Sequence, residues 1–244
     1  MSNGTQITRR TALAGLAVAS VSPVWANPAA GPVVAELFTS QGCSSCPPAD
    51  ALFVELARRS DVIALTFNVD YWDYIGWRDV FARPDYGKRA AAYVKALKLQ
   101  SPYTPQIVIH GRKDLGGQSQ ADVMAAIKAH AAPPATQVGI AHQNGQLAIS
   151  IGPGTKPAAA ATVWLFRTLS LATVEIKAGE NRGRSITYAN VVRSMENIGT
   201  WSGQPVTLNQ TLQALSDGPA PDGVAVLVQA GEGGPILAGR HIKL

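Results

Sequence analysis

The two cysteines of this chain, Cys43 and Cys46, stand three residues apart between a run of strand formers and a helical pattern. Two intervening residues bring the sulfurs together within one turn, so the pair constrains the local fold more than any other feature. A secreted scaffold stapled by disulfides uses many cysteines over distant loops, and that class is excluded. Three chemistries fit the pair. It can be a redox dithiol, with Cys43 attacking and Cys46 resolving the mixed disulfide. It can be a structural disulfide, although so short a loop gains only about 2 kcal/mol in the chain-entropy model. It can also hold copper(I) on two thiolates, since soft sulfur suits that ion; no nearby Cys or His pair completes a zinc site.

The alternation of patterns around the pair predicts an α/β unit. Val33 to Thr39 reads as a strand, and Leu52, Phe53, Leu56 and Ala57 recur at helical spacing within Pro48 to Arg59. Asp61 to Val69 reads as a buried strand, and an irregular stretch from Asp70 to Pro84 leads to a helix over Tyr86 to Leu97. Ile107 to Ile109 is a strand with a hairpin partner ending at Gly116-Gly117, and a helix over Asp122 to Ala129 closes the unit. The order is βαβαββα. A βαβ unit forces a parallel pair with a right-handed crossover, and the hairpin adds antiparallel strands to give a mixed sheet. This order, with the cysteines between first strand and first helix, predicts a thioredoxin-like domain over residues 31–130. In such domains a cis-proline begins the strand facing the cysteines. Thr104-Pro105, just before Gln106, stands at that place and is expected to shape the substrate site together with Trp72. His110, about 17 Å further along an extended strand, is predicted to be an exposed turn residue remote from the cysteines.

After Ala131-Ala132-Pro133-Pro134-Ala135 the pattern changes to strands. Asn144-Gly145 between two alternating runs is a strong hairpin signal. The remaining runs predict a β-sandwich-like domain over residues 136–244, with one helical turn around Tyr188 to Met195.

The amino-terminal stretch is set apart from the fold. Arg9-Arg10, the apolar run Thr11 to Val21 and the small residues around Ala26 predict an export signal over residues 1–26 of twin-arginine type. The expected location is therefore periplasmic or secreted. No segment is apolar for the ~20 residues a membrane span needs. The formal charge of +5 includes those two arginines, and the remaining basic residues form no stripe interleaved with aromatics, so nucleic-acid binding has no support.

Three acids are candidates for proton transfer: Glu36 in the first strand, and Asp70 and Asp73 in the aromatic cluster Asp70-Tyr71-Trp72-Asp73-Tyr74-Ile75-Gly76-Trp77. That cluster follows the second strand at its carboxyl end, where parallel sheets bind ligands. The leading expectation is thiol–disulfide exchange on exported protein thiols or a redox partner protein, with no organic cofactor. The alternative is a copper(I)-binding or partner-binding protein without redox turnover.

Glu36-Leu37-Phe38-Thr39-Ser40-Gln41-Gly42-Cys43-Ser44-Ser45-Cys46-Pro47-Pro48, Val69-Asp70-Tyr71-Trp72-Asp73 and Tyr103-Thr104-Pro105-Gln106 resemble a bacterial family of secreted thioredoxin-like proteins of unknown function. Glu180-Asn181-Arg182-Gly183 and Tyr188 to Arg193 extend the likeness to the second half. The resemblance implies the fold and leaves the activity open. Compared with thioredoxin itself, Ser44-Ser45 replace the usual Gly-Pro, and Pro47-Pro48 must occupy the first helical turn. That is expected to start the helix after Cys43 and to weaken the dipole's pull on its thiolate.

Overall fold

The computed structural model describes residues 31–117 and 119–244; the export signal read over residues 1–26 lies outside them. The first half runs β1 (Val33–Thr39), α1 (Pro47–Leu56), β2 (Val62–Asn68), α2 (Pro84–Ala96), β3 (Gln106–Ile109), β4 (Lys113–Leu115) and α3 (Gln120–His130). The second half contributes β5 (Val138–Gln143), β6 (Gln146–Ile151), β7 (Ala161–Glu175), β8 (Ser185–Trp201), β9 (Val206–Thr211), β10 (Gly223–Ala230) and β11 (Ile236–Lys243). No helix among the described residues is long and apolar enough to cross a membrane.

The fold is mixed α/β, with one eight-stranded sheet in the order β11-β10-β7-β8-β2-β1-β3-β4 and a small sheet β5-β6-β9. β1 pairs parallel with β2 and antiparallel with β3. Every residue of β1 and β2 is buried, as expected of strands covered on both faces. Val33, Ala35 and Leu37 meet Ala49, Leu52, Phe53 and Leu56 of α1 and Val123 and Ile127 of α3 on one face. Val34 and Phe38 meet Tyr86, Ala90 and Tyr93 of α2 on the other. Both α1 and α2 bury positions at i, i+3, i+4 and i+7, the spacing of an amphipathic helix.

The second half departs from a β-sandwich-like unit of its own. β8 lies beside β2 with Thr66 opposite Val191, and β7, β10 and β11 extend the same sheet. Phe166, Val192, Ala225, Leu227 and Ile236 complete the apolar cluster around Phe67 and Tyr86, so one core spans both halves. Only β5, β6 and β9 stack as a second layer, through Leu147, Ile149 and Ile151 against Val163, Leu165 and Val226. The helical turn expected at Tyr188 to Met195 is instead the middle of β8. Its strand formers Thr187, Tyr188, Val191 and Val192 pair with β7, and Asn190 turns to a φ of 44° so that its amide reaches Ala64 O at 3.0 Å.

Candidate active site

Cys43 and Cys46 form a disulfide with their Cα atoms 5.5 Å apart. It lies where β1 ends and α1 begins, at the carboxyl edge of the parallel β1–β2 pair. Two backbone turns build the approach: Cys43 N donates to Ser40 O and Cys46 N to Cys43 O. Cys46, not Cys43, occupies the N-cap of α1. Pro47 and Pro48 carry no N–H, and the next two amides, Ala49 and Asp50, both donate to Cys46 O. The helix end therefore has little to offer a Cys43 thiolate. The donor beside that sulfur is the Ser45 hydroxyl, 3.4 Å from Cys43 Sγ.

Both cysteines are buried, Cys43 at 1% exposure, while Ser44 and Ser45 between them are exposed. The cover comes from the loop joining β7 to β8. Asn181, fully buried, donates its amide to Gln41 O and Cys43 O, each at 2.9 Å. Glu180 accepts from Ser44 N at 3.4 Å on the surface. Gly179, with φ at 73°, lets this loop pass over Trp77, where an added Cβ would stand 3.2 Å from Trp77 Cβ. On the other side Trp72 and Ile75 close against Gly42, whose missing side chain makes room for them at 3.1–3.3 Å.

Trp72 ties this wall to the predicted proline. Its Nε1 donates to Thr104 Oγ1 at 2.7 Å, and the Thr104–Pro105 bond is cis. The pairing of Phe38 with Gln106 sets Pro105 level with Thr39, and Gly117 packs between Pro105 and Ala49 of α1. Cys43, Trp72, Thr104 and Pro105 thus form one neighbourhood. Tyr74, 81% exposed, stacks on Trp72 at 6.4 Å and leaves an aromatic face beside the disulfide open to solvent.

Of the predicted acids, Glu36 stands across the sheet, and Asp70 and Asp73 flank Trp72 in the loop after β2. Glu36 points to the α2 face, opposite the face that carries α1, and is fully buried. Arg89 Nε donates to it at 2.7 Å, Tyr93 OH also donates to it, and the guanidinium lies 5.2–5.7 Å from the rings of Phe67, Tyr93, Trp164 and Phe166. That carboxylate is committed to an ion pair. Asp70 sits beside Gly87 of α2. Asp73 accepts from Asp79 N at 3.0 Å and holds the loop. His110 lies in the β3–β4 turn as expected but is half-buried, not exposed. Its Nδ1 accepts from Val34 N, and burial pushes its pKa down to about 4.

Two acids that sequence reasoning passed over stand behind the disulfide. Asp50, one helical turn beyond Cys46, is 1% exposed; Thr39 Oγ1 donates to its Oδ1 at 2.7 Å, and its Oδ2 has no partner. Burial holds its pKa well above the usual carboxylate range, and Asp79 raises it further. Asp79 accepts from Gln41 N at 2.8 Å, Asn68 Nδ2 at 2.9 Å and Phe81 N at 2.9 Å. Burial nevertheless pushes its pKa up to about 6. The only sequence signal for Asp50 was an acid at an apolar position of α1's buried stripe. Among the described residues no group of three His, Cys, Asp or Glu side chains converges as a metal site.

The signature of the family described as protein of unknown function (DUF1223) matches residues 34–229. The chain belongs to this family. In this DUF1223 member the CxxC pair is closed as a disulfide. It is similar to the crystal structure of a protein from Agrobacterium tumefaciens solved by a structural-genomics consortium. Identity is 28% and the TM-score 0.74, over 88% of this chain and 95% of that one. HBP35 of Porphyromonas gingivalis shares the fold at a TM-score of 0.63 and 12% identity, over 90% of this chain and 77% of that one. A search of curated proteins finds no match.

Proposed function

We propose that this DUF1223 protein is a periplasmic or secreted thiol–disulfide exchange protein of thioredoxin-like design, acting on exported protein thiols or on a redox partner. The observation that carries this reading is the position of the Cys43–Cys46 disulfide. It joins the turn after β1 to the cap of α1, with Trp72 and Pro105 on one side and the buried Asp50, whose pKa burial raises, one turn behind.

In the reducing direction the Cys43 thiolate attacks one sulfur of a partner disulfide and expels the other as a thiolate. Asp50, ionised for this step, takes the proton of Cys46 through its free oxygen. The Cys46 thiolate then attacks Cys43 Sγ, closes the internal disulfide and releases the partner's second thiolate. The two electrons pass to the partner, and the oxidising direction is the reverse. Thiol pKa and access govern both steps. The exposed Trp72–Tyr74 face supplies an apolar contact for the partner chain. Because Cys43 is covered, exchange requires the Asn181 loop or the Trp72 wall to move aside.

The test is a Cys46→Ala variant incubated with a reduced-and-reoxidised extract of exported proteins. Exchange predicts mixed disulfides through Cys43 that are absent from Cys43→Ala and released by reductant. A Cys46→Ala protein that captures nothing while its thiol alkylates freely overturns the reading and favours binding without turnover.

A further inference from the structure

A second site lies away from the cysteines, at the far end of the loop that follows β2. A cavity of about 390 Å³ opens there between the start of α2, the paired strands β7 and β8, and the segment 213–217. Three arginines from three elements line it: Arg83 before α2, Arg167 on β7 and Arg193 on β8. Arg193 and Arg167 are withdrawn from solvent, with side-chain exposures of 2% and 11%.

Their donors are not all used. Arg83 Nη2 donates to both oxygens of Asp217, at 2.9 and 2.8 Å. Arg167 donates to Gln213 O at 2.5 Å and to Glu196. Arg193 Nη2 donates to Asp217 O at 2.9 Å, and its distance to the Asp217 carboxylate is 3.6 Å. The Nε groups of all three arginines, Nη1 of Arg193 and the Ser194 hydroxyl are buried with no hydrogen-bond partner. A guanidinium is always charged and offers only donors. Leaving buried donors unmet is costly, and more so when they are charged. These unmet donors belong to side chains that line one cavity, whose wall also carries the carboxylates of Asp85 and Asp217, and an acceptor entering it would be drawn to those donors.

We infer that this cavity binds a phosphate-class oxyanion, held by Arg83, Arg167, Arg193 and Ser194, with Asp217 as an internal carboxylate that partly occupies the site. The carboxylates already present do not saturate the arginines, because Asp217 spends both oxygens on Arg83 and Glu196 pairs with Arg167 alone. A phosphate presents more oxygens over a wider angle and a second negative charge, which suits guanidiniums arriving from three directions. The volume exceeds that of the ion, so the group can be free phosphate or the head of a phosphomonoester. Asp217, itself 55% exposed, sits on the rim, and its surface pair with Arg83 holds it only weakly.

The experiment titrates the full chain with inorganic phosphate and with glycerol phosphate by calorimetry, against acetate at matched ionic strength. Saturable binding of phosphate but not acetate is expected, and tighter binding of glycerol phosphate identifies the ester as the source. Asp217→Asn, which removes the competing charge, should tighten phosphate binding about tenfold. Arg167→Gln should weaken it at least about tenfold. Arg193→Gln should abolish it; where that buried change prevents folding, the Asp217 and Arg167 variants decide. No saturable binding in either the wild type or Asp217→Asn, or an equal response to acetate, overturns the inference. So does binding untouched by Arg167→Gln.

Discussion

Asn181 is a residue of the β7–β8 loop whose side chain ends against the backbone of the disulfide turn, and replacing it by alanine is expected to uncover the cysteines. Its amide makes two buried hydrogen bonds, to Gln41 O and Cys43 O at 2.9 Å. Each contributes about 1 kcal/mol net, so their loss raises the closed loop's free energy by ~2 kcal/mol relative to an open state in which water satisfies the carbonyls. At 1.4 kcal/mol per factor of ten, the open population rises ~30-fold. If reductant reaches the disulfide only through that open state, the rate of reduction rises by the same factor. The assay is pseudo-first-order reduction by excess dithiothreitol well below the melting temperature, followed by thiol labelling. Glu180→Ala is the control: its contact with Ser44 N is long, at 3.4 Å, and exposed, so its rate should change less than about twofold. An Asn181→Ala rate within about twofold of wild type would refute the idea that this loop gates the site.

Asp50→Asn should keep the fold while slowing exchange ~10²-fold, the usual contribution of a positioned acid or base, with the pH–rate profile losing one ionisation. An unchanged profile would remove Asp50 from the chemistry. Asp79 is held at about 6 in the folded state against 3.8 for an ordinary aspartate, so the folded protein binds that proton more tightly than the unfolded chain does. Its contribution to stability is therefore full below pH 3.8 and is lost as pH rises through about 6, and denaturant titrations of Asp79→Asn should lack that decline. Ser45→Ala, made in Cys46→Ala, removes the hydroxyl 3.4 Å from Cys43 Sγ and should slow alkylation of the Cys43 thiol at fixed pH, whereas an unchanged rate would show that the hydroxyl does not support the thiolate.

The first half was readable because its local signals agree with one another. Apolar residues at i, i+3, i+4 and i+7 mark α1 and α2, and continuous apolar runs mark β1 and β2. Pro47 and Pro48 were enough to place the helix start after Cys43. Asn144-Gly145 adopted φ values of 50° and 74°, as the hairpin signal required. The assembly of the two halves was not readable. Whether β8 finds β2 depends on Thr66 meeting Val191, residues 125 positions apart with no local signature. Tyr188 to Met195 carries a mixed pattern that a helix and a strand both accommodate, and the β2 and β7 neighbours decide it.

The site divides the same way. Cys43 and Cys46 are joined, and Trp72 reaches Thr104 next to the cis Pro105, where motif and fold position had suggested they would lie. Glu36 misled because strand alternation, which puts it on the α2 face, cannot be assigned to a face before the helices are placed. Asp50 and Asn181 were missed for a related reason. A buried acid in a helix stripe and an asparagine in a distant loop acquire meaning only when tertiary structure brings them against the disulfide.

The most direct test of the account is the reduction potential of the Cys43–Cys46 pair, obtained by equilibrating the protein in thiol buffers and quantifying both redox forms. An exchange protein is expected to fall between about −120 and −270 mV, the span of known exchange catalysts. A value below about −300 mV would mark a disulfide that the surrounding thiol pool does not open, and would contradict the proposed function.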